Sequence, residues 1–137
     1  MSVLVKICGL NEPRSVAAAV DAGADMIGLV FYPASPRAVS LEQAIELAGP
    51  VTNGPVRVAL AVDPDDRLVS EITETGVIDM IQVHGHETPS RVSEIQARSG
   101  LPVMKALRIG TAPDVAGAAH YDGVADRILF DAKAPKD

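Results

Sequence analysis

The chain has 137 residues, 47% hydrophobic and 22% charged, a composition ordinary for one soluble domain or part of one. Twelve basic and eighteen acidic residues give a formal net charge of −6, which argues against binding to the polyanionic backbone of nucleic acids. The single cysteine, Cys8, excludes a disulfide framework and suits a reducing cytoplasm. No apolar run approaches the roughly 20 residues that span a bilayer, so we expect a cytoplasmic protein that does not bind membranes.

Short β-branched runs alternate with longer stretches rich in Ala, Glu and Leu, a rhythm typical of βαβ units around a parallel sheet. The predicted strands span residues 3–8, 26–31, 56–62, 79–84, 103–107 and 127–131. The predicted helices span residues 12–22, 41–48, 65–75, 89–98 and, more weakly, 113–119. Ser40, followed three residues later by Gln43, resembles a capping box. We expect a single domain over residues 1–137.

Along the predicted strands an apolar face alternates with a face that carries polar residues. This pattern favours a barrel over an open sheet covered by helices on both sides, whose strands would be almost continuously apolar. In the first strand, for example, Lys6 and Cys8 share one face. In a barrel such mixed faces converge on the axis, and the last inward residues reach the C-terminal rim. The predicted rim residues are Cys8, Phe31, Asp63, His84, Lys105 and Asp131. We expect Lys6, Arg57 and Arg127 to lie deeper inside as ion-pair partners.

Four local motifs stand at predicted strand ends: KICG at residues 6–9, GLVFYPASPR at 28–37, QVHG at 82–85 and LFDAK at 129–133. In this order and spacing the chain resembles the phosphoribosylanthranilate isomerases, and the resemblance covers essentially its whole length. Small departures are Ala34, where the family often has lysine, and His86, where an acid or amide is commoner. The resemblance implies a (βα)8 TIM barrel, of which about six βα units are present.

The resemblance also implies a reaction, the Amadori rearrangement of N-(5-phosphoribosyl)anthranilate to the corresponding 1-deoxyribulose 5-phosphate. That reaction needs a proton donor at the ribose ring oxygen and a base that removes the proton on C2. By resemblance, Asp131 takes the place of the acid and Cys8 that of the base. No metal and no organic cofactor are implied, and the partner is a small phosphosugar.

Two further residues acquire roles from the same resemblance. Arg37 ends a loop stiffened by Pro33 and Pro36, and its guanidinium would hold the anthranilate carboxylate. His84 would make a polar contact with the substrate without transferring a proton. Without the resemblance, a lone strand cysteine is most often a small core residue and an aspartate after a strand most often caps a turn.

A complete barrel usually needs about 200 to 250 residues, and its phosphate site is typically built after strands seven and eight. We therefore expect this length alone to lack isomerase activity. Six strands would leave apolar edges on strands one and six, which favours association with further copies or with a separate C-terminal portion.

Three other readings stay open from the sequence. A receiver-type signalling domain carries an aspartate after strand three and a lysine after strand five, as Asp63 and Lys105 do, but needs acidic residues after strand one. Another phosphosugar barrel enzyme could use Lys105 as a Schiff base. The third reading is a non-catalytic fragment that persists only by pairing with a C-terminal part.

Overall fold

The computed structural model describes residues 2–134 as one six-stranded sheet with its helices. The strands are β1 (Lys6–Cys8), β2 (Met26–Val30), β3 (Val56–Ala61), β4 (Met80–Val83), β5 (Val103–Ile109) and β6 (Arg127–Ala132). The helices are α1 (Pro13–Asp21), α2 (Leu41–Ala48), α3 (Asp66–Glu74), α4 (Pro89–Ser99) and α5 (Ala112–Ala116), and a 3₁₀ helix spans Gly117–Tyr121. All six predicted strands and all five predicted helices are therefore present.

The strands follow one another across the sheet in chain order, and every neighbouring pair is parallel. Because right-handed crossovers repeat in one direction, all the helices lie on the same side of the sheet. An open receiver-type sheet reverses its strand order instead, so that alternative is wrong. The prediction of an incomplete (βα)8 barrel is confirmed, with β1 and β6 at the two edges of the described sheet.

Each face of the sheet has its own core. The larger core lies between the sheet and the helices and includes Ile27, Leu29, Ile81, Val83 and Val103 from the strands. The smaller core lies on the inner face and consists of Met26, Val58, Met80 and Met104, with Val56 and Leu129 packed against it. Methionine side chains are flexible and adapt to irregular space, which suits the concave side of a curved sheet.

The helices begin and end where the sequence carries capping signals. The predicted capping box is confirmed: Ser40 Oγ accepts from the Gln43 amide at 3.1 Å, and Gln43 Oε1 accepts from the Ser40 amide at 2.8 Å. The weak helix predicted over residues 113–119 instead divides into α5 and the 3₁₀ helix at Gly117. None of the helices within residues 2–134 is long and apolar enough to cross a membrane.

β1 is shorter than predicted and begins at Lys6 instead of residue 3. Its partner β2 starts only at Met26, so the residues before Val5 have no neighbouring strand to bond. Val5 itself is held by the start of β2, because its amide donates to Asp25 Oδ2 at 2.7 Å. Val3 and Leu4 remain exposed at 85% and 52% of their surface.

The inward face of β3 was predicted wrongly. Arg57 does not lie inside the barrel, because its register partner on β2 is Ile27, a member of the helix-side core. Its guanidinium holds both oxygens of Asp79, at 2.9 and 3.0 Å, and donates to the carbonyl of Ala48 at the end of α2. The Asp79 carboxylate and the carbonyl end of α2 therefore neutralise the Arg57 guanidinium on the outer side of the sheet.

The prediction that Phe31 reaches the rim is also wrong. The prediction that Lys6 and Arg127 form inner ion pairs is confirmed only for their position. Phe31 packs into the helix-side core and does not reach the rim. Lys6 and Arg127 do lie on the inner face, where they line a cavity of about 310 Å³ together with Met26 and Met104. No acidic residue of the described chain lines that cavity, so the predicted inner ion pairs are not formed there.

Asp79→Asn should reduce the free energy of unfolding by about 1 kcal/mol at neutral pH, since the Arg57 hydrogen bonds are weakened in a partly exposed site. Those hydrogen bonds hold the pKa of Asp79 below its ordinary value, against the opposing effect of burial. Because the folded-state pKa is the lower one, the carboxylate stabilises the fold above about pH 4, and this stabilisation is lost as the pH falls through the folded-state pKa.

Chemical denaturation from neutral pH into acid, with Asp21→Asn at the exposed end of α1 as the control, measures this effect. The stability difference between wild type and Asp79→Asn should narrow below about pH 4. A difference that stays constant over the whole range would show that the carboxylate charge contributes nothing.

Candidate active site

Cys8 lies at the carboxyl end of β1 on the inner face, beside Gly28 of β2. A methyl group added to Gly28 would lie 2.9 Å from the Cys8 sulfur and 3.2 Å from Lys6 Nζ. The thiol and the ammonium group therefore fill the space that the glycine leaves, as expected where a strand glycine permits close approach. The predicted placement of the Lys6 cation on the same face as the thiol is confirmed.

Arg37 crosses from the β2–α2 loop to the end of β1. Its Nη1 donates to the carbonyl oxygen of Cys8 at 3.0 Å, and its guanidinium lies over Gly9. Gly9 has a φ of 81° and no side chain, so it provides both the turn and the space for the guanidinium. The loop is closed by Ser35, whose Oγ accepts from the Arg37 amide at 3.2 Å. The structure thus brings Arg37 and Cys8 together.

His84 and Asp131 form the second pair of predicted site residues. His84 Nε2 lies 3.0 Å from Asp131 Oδ2, and His84 Nδ1 lies 3.4 Å from Nε2 of Gln82. The Gln82 side chain is 1% exposed, whereas the side chains of His84 and Asp131 are 20% and 47% exposed. The three groups therefore run from the barrel interior to its mouth. Sequence reasoning had placed Gln82 in a motif without giving it a function.

Both pairs face the same interior, although they lie at opposite edges of the sheet. The cavity below them is lined by Leu4 and Lys6 from the β1 side and by Arg127 and Leu129 from β6. Residues from the two edges can share one cavity only if the sheet curves round a common axis. Cys8 continues the inner face of Lys6, and Asp131 continues that of Arg127 and Leu129, so thiol and carboxyl lie on one concave surface.

A buried ion pair between Glu87 and Lys105 supports the rim from the other side. Lys105 Nζ lies 2.7 Å from Glu87 Oε1, and the two side chains are 3% and 1% exposed. The prediction of Lys105 as a rim residue is wrong, because it shares the helix-facing side of β5 with Val103. Its ammonium also donates to the carbonyl of Gly85 at 2.9 Å, so the buried cation is already held by two partners. The buried position of Lys105 therefore argues against the alternative in which it forms a Schiff base with a phosphosugar.

Glu87 ties together the loops that follow β3 and β4. Its carboxylate accepts from the amide of Asp63 at 2.7 Å and from that of Gly85 at 2.9 Å. Tyr121 adds a hydrogen bond from its hydroxyl to the Glu87 carbonyl at 2.6 Å. Burial, and then the nearby Glu87 charge, raise the pKa of the Tyr121 hydroxyl. Sequence reasoning did not identify Glu87.

Asp63 and His86 form a local pair between the loops that follow β3 and β4. Asp63 has a φ of 44°, and its carboxylate accepts from the His86 amide at 2.6 Å and lies 3.2 Å from His86 Nδ1. Burial raises the pKa of Asp63, but the hydrogen bonds from His86 outweigh it, so the pKa lies below its ordinary value. The rings of His84 and His86 thus face different carboxylates, and residues 2–134 contain no group of three potential metal ligands.

Six consecutive parallel strands around a common axis define a protein of the (βα)8-barrel class, in which sites typically lie at the C-terminal rim. A profile of the N-(5'phosphoribosyl)anthranilate (PRA) isomerase family matches residues 5–137. The chain belongs to that family.

Relatives and solved structures agree with this assignment. N-(5'-phosphoribosyl)anthranilate isomerase of Bradyrhizobium sp. (strain ORS 278) is 51% identical over all 137 residues, which correspond to 63% of that protein. The crystal structure of phosphoribosyl anthranilate isomerase from Thermotoga maritima has a TM-score of 0.90 at 29% identity, covering 99% of this chain and 64% of that one. A structure of the isomerase in complex with reduced 1-(o-carboxyphenylamino)-1-deoxyribulose 5-phosphate has a TM-score of 0.88 at 29% identity and covers 96% and 66%. The chain thus spans a little under two-thirds of the length of these proteins.

Lys105→Met should lower the free energy of unfolding by about 3 to 5 kcal/mol, because it leaves the Glu87 charge buried without its partner. Urea denaturation measures the change. The control is Lys133→Met, which removes a lysine from an exposed pair with Asp114 and should have a much smaller effect. Adding Glu87→Gln to Lys105→Met should recover part of the loss, and equal losses for Lys105→Met and Lys133→Met would contradict the analysis.

Gly28→Ala should displace Cys8 and Lys6, since the new methyl group would lie within 3.3 Å of three of their atoms. We expect a loss of about 1 to 3 kcal/mol in unfolding free energy, as for other overpacked interiors. The alkylation rate of Cys8, the only thiol in the chain, should also change. Gly117→Ala is the control, because no atom lies within 4 Å of the added methyl there. Similar effects of the two substitutions would contradict the crowding argument.

Proposed function

We propose that this chain provides the acid and base of an isomerase that converts N-(5'-phosphoribosyl)anthranilate into 1-(o-carboxyphenylamino)-1-deoxyribulose 5-phosphate. The observation that carries the proposal is the arrangement of Cys8 and Asp131 on one concave surface, each beside a second polar side chain at the rim. Membership of the isomerase family and the structural likeness to an isomerase that binds the reduced product support the same reaction.

The two reactive groups divide the proton transfers between them. Asp131 delivers a proton to the ribose ring oxygen, the bond from that oxygen to C1 breaks, and C1 becomes doubly bonded to the anthranilate nitrogen. The Cys8 thiolate then removes the proton on C2, and the electrons of that bond form the C1–C2 double bond and neutralise the nitrogen. Tautomerisation of the resulting enol gives the ketose. The rearrangement is internal, so the proposal includes neither a metal nor an organic cofactor.

Arg37 and His84 complete the substrate surface in this proposal. The Arg37 guanidinium, held over Gly9 at the end of β1, binds the anthranilate carboxylate beside the Cys8 base. The partly exposed ring of His84 contacts the sugar next to Asp131. The carboxylate end of the substrate therefore lies toward β1 and the ring oxygen toward β6.

The substrate phosphate is assigned to residues outside this chain. The matched region is 63% of the Bradyrhizobium relative, so more than a third of that protein lies outside it, and barrels of this type typically bind phosphate after strands seven and eight. Without that anchor the ribose would not be oriented between acid and base. We propose that the 137 residues alone have no measurable turnover.

Partners and compartment follow from the same site. A thiol base works only in its reduced form, so we propose a reducing compartment such as the cytoplasm. The net charge of −6 opposes nucleic-acid binding. Exposed apolar residues on both edge strands, including Ile7 and Phe130, and Val5 just before β1 favour association with a further copy or with the C-terminal portion of the barrel.

A chimera tests the proposal directly. Residues 1–137 are joined to the remaining third of the Bradyrhizobium relative, and conversion of aldose to ketose phosphate is followed by chromatography. The chimera should be active and residues 1–137 alone inactive. Cys8→Ser and Asp131→Asn in the chimera should each lower kcat at least about a hundredfold, because each removes a proton-transfer group.

The matched control is Ser99→Ala. Ser99 is a buried polar residue of α4 far from the mouth, so this substitution should leave the kcat of the chimera within about twofold of the unsubstituted value. An active chimera that is unaffected by Cys8→Ser and by Asp131→Asn would refute the assigned roles. A well-folded chimera without any turnover would refute the proposed function itself.

A further inference from the structure

Gln82 is a buried amide with an incomplete set of hydrogen bonds. Its side chain is 1% exposed and lies on the inner face of β4, between Leu60 of β3 and Met104 of β5 in the strand register. Its Nε2 approaches His84 Nδ1 at 3.4 Å, while its Oε1 is buried without a hydrogen-bond partner among the described residues. A leucine or methionine would fill the same space without an unpaired carbonyl, so packing alone does not account for an amide here.

The hydrogen-bond roles of His84 follow from its two neighbours. An ionised Asp131 can only accept hydrogen bonds, so His84 Nε2 must carry the hydrogen that joins them at 3.0 Å. A neutral imidazole has one N–H, and its Nδ1 is then an acceptor. Only the NH₂ group of Gln82 can donate to that acceptor, which is the orientation in the structure.

We propose that Gln82 is a positioning residue, which holds His84 in the tautomer with the hydrogen on Nε2 and so directs the acidic proton of Asp131 to Oδ1. The tautomer follows from the contacts of His84 with Gln82 and Asp131 and needs no assigned activity. Its consequence for the acid rests on the proposed isomerase function.

This tautomer favours proton donation by Asp131. With Oδ2 occupied as an acceptor from His84, a protonated Asp131 carries its hydrogen on Oδ1, where the substrate ring oxygen can receive it. When the proton leaves, the negative charge on the carboxylate is stabilised by the N–H of His84. The opposite tautomer would accept the Asp131 hydroxyl through Nε2 and hold the proton away from the substrate.

Nitrogen NMR spectroscopy tests the tautomer without any need for activity. The chain contains three histidines, and His86→Gln with His120→Gln leaves only His84. In residues 1–137 labelled at the histidine nitrogens, Nδ1 should show the shift of an unprotonated acceptor and Nε2 that of an N–H at neutral pH. Gln82→Glu places an acceptor beside Nδ1, so the hydrogen should move to Nδ1 or both nitrogens should become protonated.

Two further variants keep the test decisive. Gln82→Met removes the donor with little change in volume and should give a mixture of tautomers, even if Gln82→Glu does not fold. Met104→Leu alters the neighbouring side chain of the same layer and should leave the tautomer unchanged. A wild-type signal with the hydrogen on Nδ1, or an unchanged tautomer in both Gln82 variants, would overturn the proposal.

Kinetics in the chimera test the consequence for the acid. Gln82→Glu should lower kcat at least about tenfold while KM stays within about twofold, because the acid proton is misdirected but the binding groups remain. Met104→Leu should leave both constants nearly unchanged. If Gln82→Glu inverts the tautomer without lowering kcat, the directing role is wrong. If the chimera has no turnover at all while the tautomer shifts as expected, the isomerase proposal fails and the tautomer assignment stands.

Discussion

The buried ion pair between Glu87 and Lys105 holds the ends of three strands in fixed positions. Glu87 accepts from the amide that follows β3 and from the amide that follows β4, and Lys105 anchors it to β5. His84 lies immediately before one of these bonds, at Gly85, so the ring that meets Asp131 is positioned from outside the barrel. A charged pair this deeply buried stabilises only when its geometry is complete, which makes it a rigid support for the rim.

The sequence predicted the elements of the fold well, because their signals are local. Helix α2 matches its predicted bounds, Leu41–Ala48, since Ser40 and Gln43 cap it by contacts within one turn. The inward face of each strand is a long-range property and was predicted less well. Alternation separates two faces, but in β3 both are largely apolar, and Arg57 was placed inside on polarity alone. Its partner Asp79 directly precedes another strand, β4, and binds Arg57 on the outer side of the sheet.

The residues of the candidate site were likewise predicted where a local motif marks them and missed where none does. Strand-end motifs placed Cys8, Arg37, His84 and Asp131 at the rim, because parallel strands bring their carboxyl ends to one edge. Glu87 had no comparable signal, since an acidic residue just before a helix usually lies in solvent near its N-terminus. For Gln82 a signal existed: it is the only polar residue in the four-residue strand β4, where an amide requires a partner.

The proposed base, Cys8, and the proposed acid, Asp131, lie on the two edge strands of the described sheet, so the distance between them depends on how strongly the sheet curves. Each reactive group has support from its own side: Gly28 admits the Cys8 thiol next to Lys6, and His84 fixes Asp131. Nothing within either pair sets the separation of the pairs. The inner layer of Met26, Val58, Met80 and Met104 fills the concave side between the two edges, directly below the rim. Because protein interiors are close-packed, the rim rests on the volume of this layer, a volume that the exchange of methionine for leucine conserves.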